Sequence, residues 1–299
     1  MNIYDDLTLI LVTYRSEALI NKNLDILKKF KVIIIDNSDS EKLELITEPF
    51  KNIKLIRSTK NLGYGKATNI GVSKCNTHFI LHVGPDILLN EESIKSLFSF
   101  FLKDENNIGI LGPSLYDVNM NRRTNGTISY IKKLKDKNIS KLNNNIPVGN
   151  MCCDYLVGCC YLMKKDFFNS LGGFDEDFFM YFEDNDLCDR TKKEGKLIIE
   201  VPSAKFIHLE NSSSVKKKFT NYKLSIIHKI SSYIYLRKNI KSISLMSTIL
   251  LNFIDYCQRL FVNLILFKFK KSFKNLLRLI SIILYVTMLY KVVYKVWNI

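Results

Sequence analysis

The C-terminal 89 residues contain almost no acid: from Asn211 to Ile299 there are 16 Lys and Arg against Asp255 alone. Met1 to Glu210 carries 28 of each sign, so the whole net charge of +15 belongs to this tail. A basic nucleic-acid-binding domain is therefore excluded for the first 210 residues, which read as a neutral globular domain. The tail also lacks a long apolar run. Its longest uncharged stretches, 242–254 and 279–290, hold 13 and 12 residues, short of the roughly 18–20 that span a bilayer. No CxxC or Cys/His ligand spacing occurs, and the seven cysteines, with doublets at Cys152-Cys153 and Cys159-Cys160, form an odd set. A disulfide framework and a zinc site are both unexpected, and the thiols serve as small apolar residues. The N-terminal "MNIYDDLTLILVTYR" has an apolar run of only six residues after two acids. That does not match a signal peptide, so the chain is expected to work in the cytoplasm. No internal repeat, GxGxxG or GxxxxGK[ST] is present.

What is present is strand–helix alternation. "LTLILVTY" (7–14), "KVIIID" (31–36), "NIKLIRS" (52–58) and "HFILHV" (78–83) are continuous apolar runs, the pattern of strands buried on both faces. Segments 16–30 and 65–75 between them have helical spacing. The alternation predicts a doubly wound, parallel α/β sheet. Ligands bind such sheets beyond the carboxyl ends of the strands. That places Thr13-Tyr14, Asp36-Asn37-Ser38 and Gly84-Pro85-Asp86 at a candidate site. Residues 117–150, polar and rich in Asn and Lys, read as a long loop or flap. The globular domain is expected to span 1–214 and the helical tail 215–299.

Each candidate has a functional and a structural reading. Asp36 suits a base or ribose contact or a turn cap. The glycines of "NLGYGKATNIG" (61–71) suit close approach to a phosphate or ribose, or a tight turn. Asp86 suits a Mg²⁺ or Mn²⁺ ion that takes its remaining ligands from a diphosphate and water, or the cap of a helix starting near Glu91. Glu183 and Asp184 open a predicted helix that runs to Lys193, where acids complement the macrodipole. They also follow the aromatic run Phe178 to Phe182, and an acid beside such an apolar wall is a candidate general base. Asp186 and Asp189 are expected to pair with Arg190, Lys192 or Lys193 on a solvated face. His208 reads as a metal or phosphate ligand, or as a structural histidine.

The order "LVTYRS…IIIDNSDS…STKNLGYGKATNIGV…HVGPDILL…GGFDEDFFMYFEDNDLCDR…AKFIHLENSSS" resembles the bacterial family 2 glycosyltransferases. The rhamnosyltransferase-like members of O-antigen and capsule synthesis are the most similar, over about residues 7–214. The resemblance implies a GT-A fold, Rossmann-like with a mostly parallel twisted sheet flanked by helices. It implies a nucleoside-diphosphate sugar donor, a divalent cation (Mg²⁺ or Mn²⁺) and inversion at the anomeric carbon. It places Thr13, Tyr14 and Asp36, flanked by Asn37 and Ser38, at the nucleotide, and Asn61, Gly63, Gly65 and Asn69 in the donor-binding turn and helix. It assigns Asp86, after Gly84 and Pro85, to the metal, His208 to the region of the diphosphate, Asp184 to the base and Glu183 to its support. One departure stands out: Gly84-Pro85-Asp86 lacks the first acid of the family's DxD-like motif. Ion binding is then expected to be weak without the donor, and a metal-independent reaction is the alternative. Rhamnose is favoured by resemblance alone.

The basic, aliphatic tail predicts helices lying in an anionic membrane surface, with a spanning hairpin as the alternative. Its aliphatic content argues against nucleic acid as partner. A lipid-linked oligosaccharide acceptor at the cytoplasmic face of the bacterial inner membrane fits both halves. The rivals are a polyprenyl-phosphate sugar synthase of the same fold, a catalytically silent membrane scaffold and a nucleotidyltransferase. Oligomeric state is not legible.

Overall fold

A computed structural model describes residues 1–38, 41–123, 125–128, 130, 132, 149–209 and 218–297. The expected domain boundary after 214 and most of the expected flap fall outside the described residues.

The expected parallel strands form nearly where the apolar runs lie. They are β1 (Leu7–Thr13), β2 (Lys31–Asp36), β3 (Ile53–Arg57) and β4 (Phe79–Val83), adjacent in the order β3-β2-β1-β4 and all parallel. Helices α1 (Ile3–Asp6), α2 (Glu17–Leu27), α3 (Lys42–Thr47) and α4 (Tyr64–Ser73) lie between and around them in sequence. Alternate strand residues serve opposite faces. Leu9 and Leu11 join one core with Ile20, Leu27, Phe98 and Phe101. Ile10 and Val12 join the other with Ala67, Val72, Phe174 and Leu187. Two covered faces explain why β1 is apolar throughout except Thr8 and Thr13.

Beyond β4 the sheet is mixed rather than mostly parallel. The elements after β4 are β5 (Ile87–Leu88), α5 (Glu91–Phe101), β6 (Ile108–Tyr116), β7 (Arg122–Arg123), β8 (Gly126–Thr127), β9 (Met151–Cys152), β10 (Tyr155–Leu156), β11 (Cys160–Lys164), α6 (Lys165–Ser170), α7 (Glu183–Lys193) and β12 (Leu197–His208), of which β8 and β10 pair with each other in a separate small sheet. β11 inserts antiparallel between β4 and β6, β12 runs parallel to β6, and β5 closes the edge antiparallel to β12. The departure is made chiefly by β11, whose apolar run marks a buried strand but not its direction.

The chain divides into two compact units: residues 1–176 with 183–215, and 177–182 with 216–299. The second comprises α8 (Lys218–Asn239), α9 (Ser242–Ile265), α10 (Phe269–Val286) and α11 (Tyr290–Trp297). Tyr233 meets Tyr285 at 5.3 Å between ring centroids, and the Arg278 guanidinium lies 5.2 Å over Tyr256. Among the described residues, no helix is long and apolar enough to cross a membrane, against the spanning-hairpin alternative.

Candidate active site

The ends of β1 and β2 meet through Asp36, which is buried. Its Oδ1 accepts hydrogen bonds from Ser38 N–H (3.0 Å), the Ser38 hydroxyl (2.6 Å) and the Thr13 hydroxyl (3.2 Å). The turn cap is thus real, yet it engages only one carboxylate oxygen. Oδ2 is buried and without a hydrogen-bond partner, which leaves an acceptor for a ligand. Tyr14 follows, its ring 5.4 Å beneath the Arg15 guanidinium, and Arg15 adopts a left-handed φ of 54°. Non-glycine residues with such backbones concentrate at functional sites.

Asn37 ties β2 to the glycine turn: its Nδ2 donates to Gly63 O (3.1 Å) and its Oδ1 accepts from Leu62 N–H (3.4 Å). The Asn61 side chain caps Gly63 N–H at 3.0 Å. Gly63 itself has φ 82° as α4 begins, a conformation that glycine adopts without strain. Gly65 packs against Phe174 and Glu183. Asn69 holds the Phe174 backbone from both sides, donating to its carbonyl (2.8 Å) and accepting from its N–H (2.9 Å). These residues shape the turn through backbone contacts, so the side chains of Asn37, Asn61 and Asn69 serve the turn and its neighbouring backbone.

Gly84-Pro85-Asp86 forms a tight turn closed by Ile87 N–H to Gly84 O at 3.2 Å. Asp86 does not cap the next helix; Asn90 does, accepting from Ser93 N–H at 2.9 Å. Antiparallel pairing sets His208 opposite Ile87, which brings His208 Nε2 within 3.5 Å of Asp86 Oδ2. Among the described residues, no group of three or more His, Cys, Asp or Glu could hold a metal. One oxygen and one nitrogen donor fit a hard divalent ion only if substrate oxygens and water complete its shell.

Glu183 and Asp184 begin α7 but face different surroundings. Asp184 is half-buried and accepts four hydrogen bonds: Tyr155 hydroxyl (2.7 Å) and Gly158 N–H (3.1 Å) at Oδ2, Asn185 N–H (2.8 Å) and Nδ2 (3.1 Å) at Oδ1. Glu183 is buried, and its Oε2 lacks a hydrogen-bond partner. Burial, with the neighbouring Asp184 charge adding, pushes its carboxyl up to about 8. Glu183 is thereby held neutral near pH 7 beside the hydrogen-bonded Asp184.

The segment Tyr155–Cys159 braces these parts, and the sequence reading missed it. Besides its bonds to Asp184, Gly158 O accepts from Tyr64 hydroxyl (3.4 Å) and lies 3.2 Å from His82 Nε2, while Cys159 O accepts from Gly84 N–H (2.7 Å). A Cβ on Gly158 would lie 2.6 Å from Asp184 Cβ, so only glycine fits. Burial pushes the Tyr64 phenol well up, with Cys159, Asp86 and Glu183 adding. His82 is buried and its pKa falls to about 4, so it is neutral. The sequence held one available signal there, Gly158 beside the start of β11 in "VGCC" (157–160).

Phe178, Phe179 and Phe182 of the aromatic run are buried. They belong to the helical unit, where Phe182 meets Tyr235 at 5.5 Å and Met180 O accepts from the Ser231 hydroxyl at 2.8 Å. Asp186 is likewise buried, not on a solvated face; it pairs with Arg190 at 2.7 Å.

Residues 8–170 match the family described as glycosyl transferase family 2. The chain belongs to that family. Residues 150–216 of this family 2 member also match the N-terminal domain of galactosyltransferase. It is 30% identical over 202 residues to the low-salt glycan biosynthesis hexosyltransferase Agl10 of Haloferax volcanii, covering 64% of this chain and 63% of the relative. It is 26% identical to an N-acetylglucosaminyl-diphospho-decaprenol L-rhamnosyltransferase of Mycobacterium tuberculosis (69% and 74% covered) and to the rhamnosyltransferase WbbL of Escherichia coli (71% and 87%). The match thus spans less than two thirds of the Haloferax protein's length. The fold is shared with a mannosyltransferase from Pyrobaculum calidifontis in complex with GDP-Man and Mn²⁺ (TM-score 0.52, 16% identity, 78% of this chain and 63% of that one). It is also shared with residues 1–349 of TarS from S. aureus (TM-score 0.51, 17% identity, 80% and 68%). This mixed, open sheet with flanking helices is of the GT-A type.

Proposed function

We propose that the protein transfers a sugar, with rhamnose favoured, from a nucleoside-diphosphate donor to a hydroxyl of a lipid-linked glycan, with inversion, in bacterial surface polysaccharide synthesis. One observation carries the reading. Asp184, the base candidate, and Gly84-Pro85-Asp86, the metal turn, are both hydrogen-bonded to residues 155–159. A proton acceptor and a leaving-group site are thereby held in fixed relation, as an in-line displacement requires.

Asp184 takes the proton of the acceptor hydroxyl while the acceptor oxygen forms its bond to the anomeric carbon. The bond from that carbon to the diphosphate oxygen breaks in the same step, and the nucleoside diphosphate leaves. Glu183, neutral, keeps a second charge away from the base. Asp36 Oδ2 accepts from the nucleotide's base or ribose, and Thr13, Tyr14 and the 61–69 turn, braced by Asn37, enclose it. Asp86 and His208 would hold Mg²⁺ or Mn²⁺, which when bound neutralises charge growing on the departing diphosphate. The rhamnosyltransferase names of two relatives, one acting on N-acetylglucosaminyl-diphospho-decaprenol, support the donor and the lipid-linked acceptor. The basic helical unit supports peripheral docking to an anionic membrane, at the cytoplasmic face.

The test is nucleoside diphosphate release by the detergent-solubilised protein with a lipid extract as acceptor source. The donors are dTDP-rhamnose, UDP-glucose, UDP-galactose, UDP-galactofuranose, UDP-N-acetylglucosamine and GDP-mannose, each with Mg²⁺, Mn²⁺ or EDTA. Release from dTDP-rhamnose, lost with EDTA, is expected. Silence with every donor would overturn the reading, and release from another donor would replace rhamnose.

A further inference from the structure

The turn from α9 to α10 holds an aromatic residue in a backbone conformation suited to glycine. Phe267 has φ 53°, the left-handed region in which a Cβ crowds the following carbonyl. The turn closes as helix ends commonly do, with Lys268 N–H bonded to Asn263 O (2.8 Å) and Phe267 N–H to Leu264 O (3.0 Å). Glycine would make the same turn without strain. Packing does not offset the strain either: Phe267 is 78% exposed, and Phe269, 6.2 Å away between ring centroids, is 64% exposed. A strained, unburied ring at a helix end points to a contact outside the chain.

The surroundings say which kind. Lys268, Lys270, Lys271 and Lys274 are all exposed around the two rings. The single acid of the tail, Asp255, pairs with Arg259 at 2.8 Å, away from the turn in sequence. Ile243, Met246, Leu250, Ile254, Phe261 and Ile265 are exposed along α9 at spacings of three, four and seven, which align them on one face. Apolar residues bordered by lysines match the boundary between acyl chains and anionic headgroups. A second copy of the chain would instead bring two cationic turns together.

We propose that the α9–α10 turn is a membrane wedge. Leu266, Phe267 and Phe269 enter the headgroup–acyl boundary of an anionic bilayer, the four lysines meet the lipid phosphates, and the outer face of α9 lies in the same plane. This rests on the peripheral-membrane reading above and names the part of the chain that performs it.

Two variants of the full-length protein test it. Phe267→Gly relieves the left-handed strain, so its Tm is expected to equal or exceed that of the parent. Its partition onto phosphatidylglycerol-containing vesicles is expected to fall about tenfold. Phe267→Trp, made in a Trp297→Phe background, reports the position of the turn. Its emission should shift to the blue and be quenched by brominated acyl chains in anionic vesicles, and do neither with phosphatidylcholine alone. If the protein cosediments with anionic vesicles while residue 267 stays wet and unquenched, the wedge is wrong and membrane docking stands. If it does not cosediment at all, both fall. A blue shift without vesicles that grows with protein concentration would make a second copy the occupant and overturn the wedge.

Discussion

The Tyr155 hydroxyl donates to Asp184 Oδ2 at 2.7 Å, sharing that oxygen with Gly158 N–H at 3.1 Å. Burial, with the Asp184 charge adding, raises the Tyr155 phenol well above its usual value. It therefore remains a donor across the working range and fixes the carboxylate in one orientation. Tyr155→Phe removes one bond to a charged group, worth about 1.5–3 kcal/mol. A fall in kcat of about tenfold to a hundredfold is expected, with KM for the donor little changed. A KM effect alone, in steady-state kinetics, would show that Tyr155 does not act through the base.

Gly158 permits the close approach of Asp184. Since an added Cβ would lie 2.6 Å from Asp184 Cβ and 3.0 Å from Oδ2, Gly158→Ala must displace Asp184 or the loop. Overpacking of this kind costs about 1–3 kcal/mol. Thermal unfolding should show a lowered Tm, and the residual enzyme should turn over more slowly at saturating donor. An alanine variant with unchanged kcat would contradict the brace.

Glu183 gives a pH dependence of definite sign. Its carboxyl is held up at about 8 against an ordinary value of 4.5. Between those values the folded state binds the proton that the unfolded state has released, so stability falls as pH rises. The contribution is fully present below about pH 4.5 and lost above about pH 8. Glu183→Gln removes this titration. Its Tm should gain on the parent progressively from pH 5 to pH 8, read by calorimetry in matched buffers. Parallel Tm curves would rule out the buried neutral carboxyl.

Asp86 and His208, as two donors, would make a poor isolated ion site. Titration of Mn²⁺ followed by electron paramagnetic resonance should show weak binding alone and tight binding once nucleoside diphosphate is present. Asp86→Ala and His208→Ala should each abolish the tight phase. Equal Mn²⁺ affinity with and without nucleotide would contradict the shared shell.

Strands β1 to β4 and helix α7 are legible in sequence because burial on two faces, or a long periodic run, leaves a dense local signal. Asp36, Asp86, Asp184 and His208 are legible too, as chemical groups at the ends of such elements. Their mutual geometry is not. Asp86 meets His208 only through the short β5–β12 pairing. Asp184 is oriented by Tyr155 and Gly158 from a segment whose strand is two residues long. Buried aromatics such as Phe178 and Phe182 look the same in sequence whichever unit covers them, and the helical unit is the one that does.

The most direct measurement follows sugar transfer from dTDP-rhamnose to a purified lipid-linked acceptor, comparing the parent with Asp184→Asn and assigning the product's anomeric configuration by NMR. With Asp184 as base in a single displacement, the product should have the configuration opposite to the donor. Asp184→Asn should lose about 10²–10⁴-fold in kcat while keeping donor affinity. Undiminished turnover in Asp184→Asn, or a product of retained configuration, would contradict it.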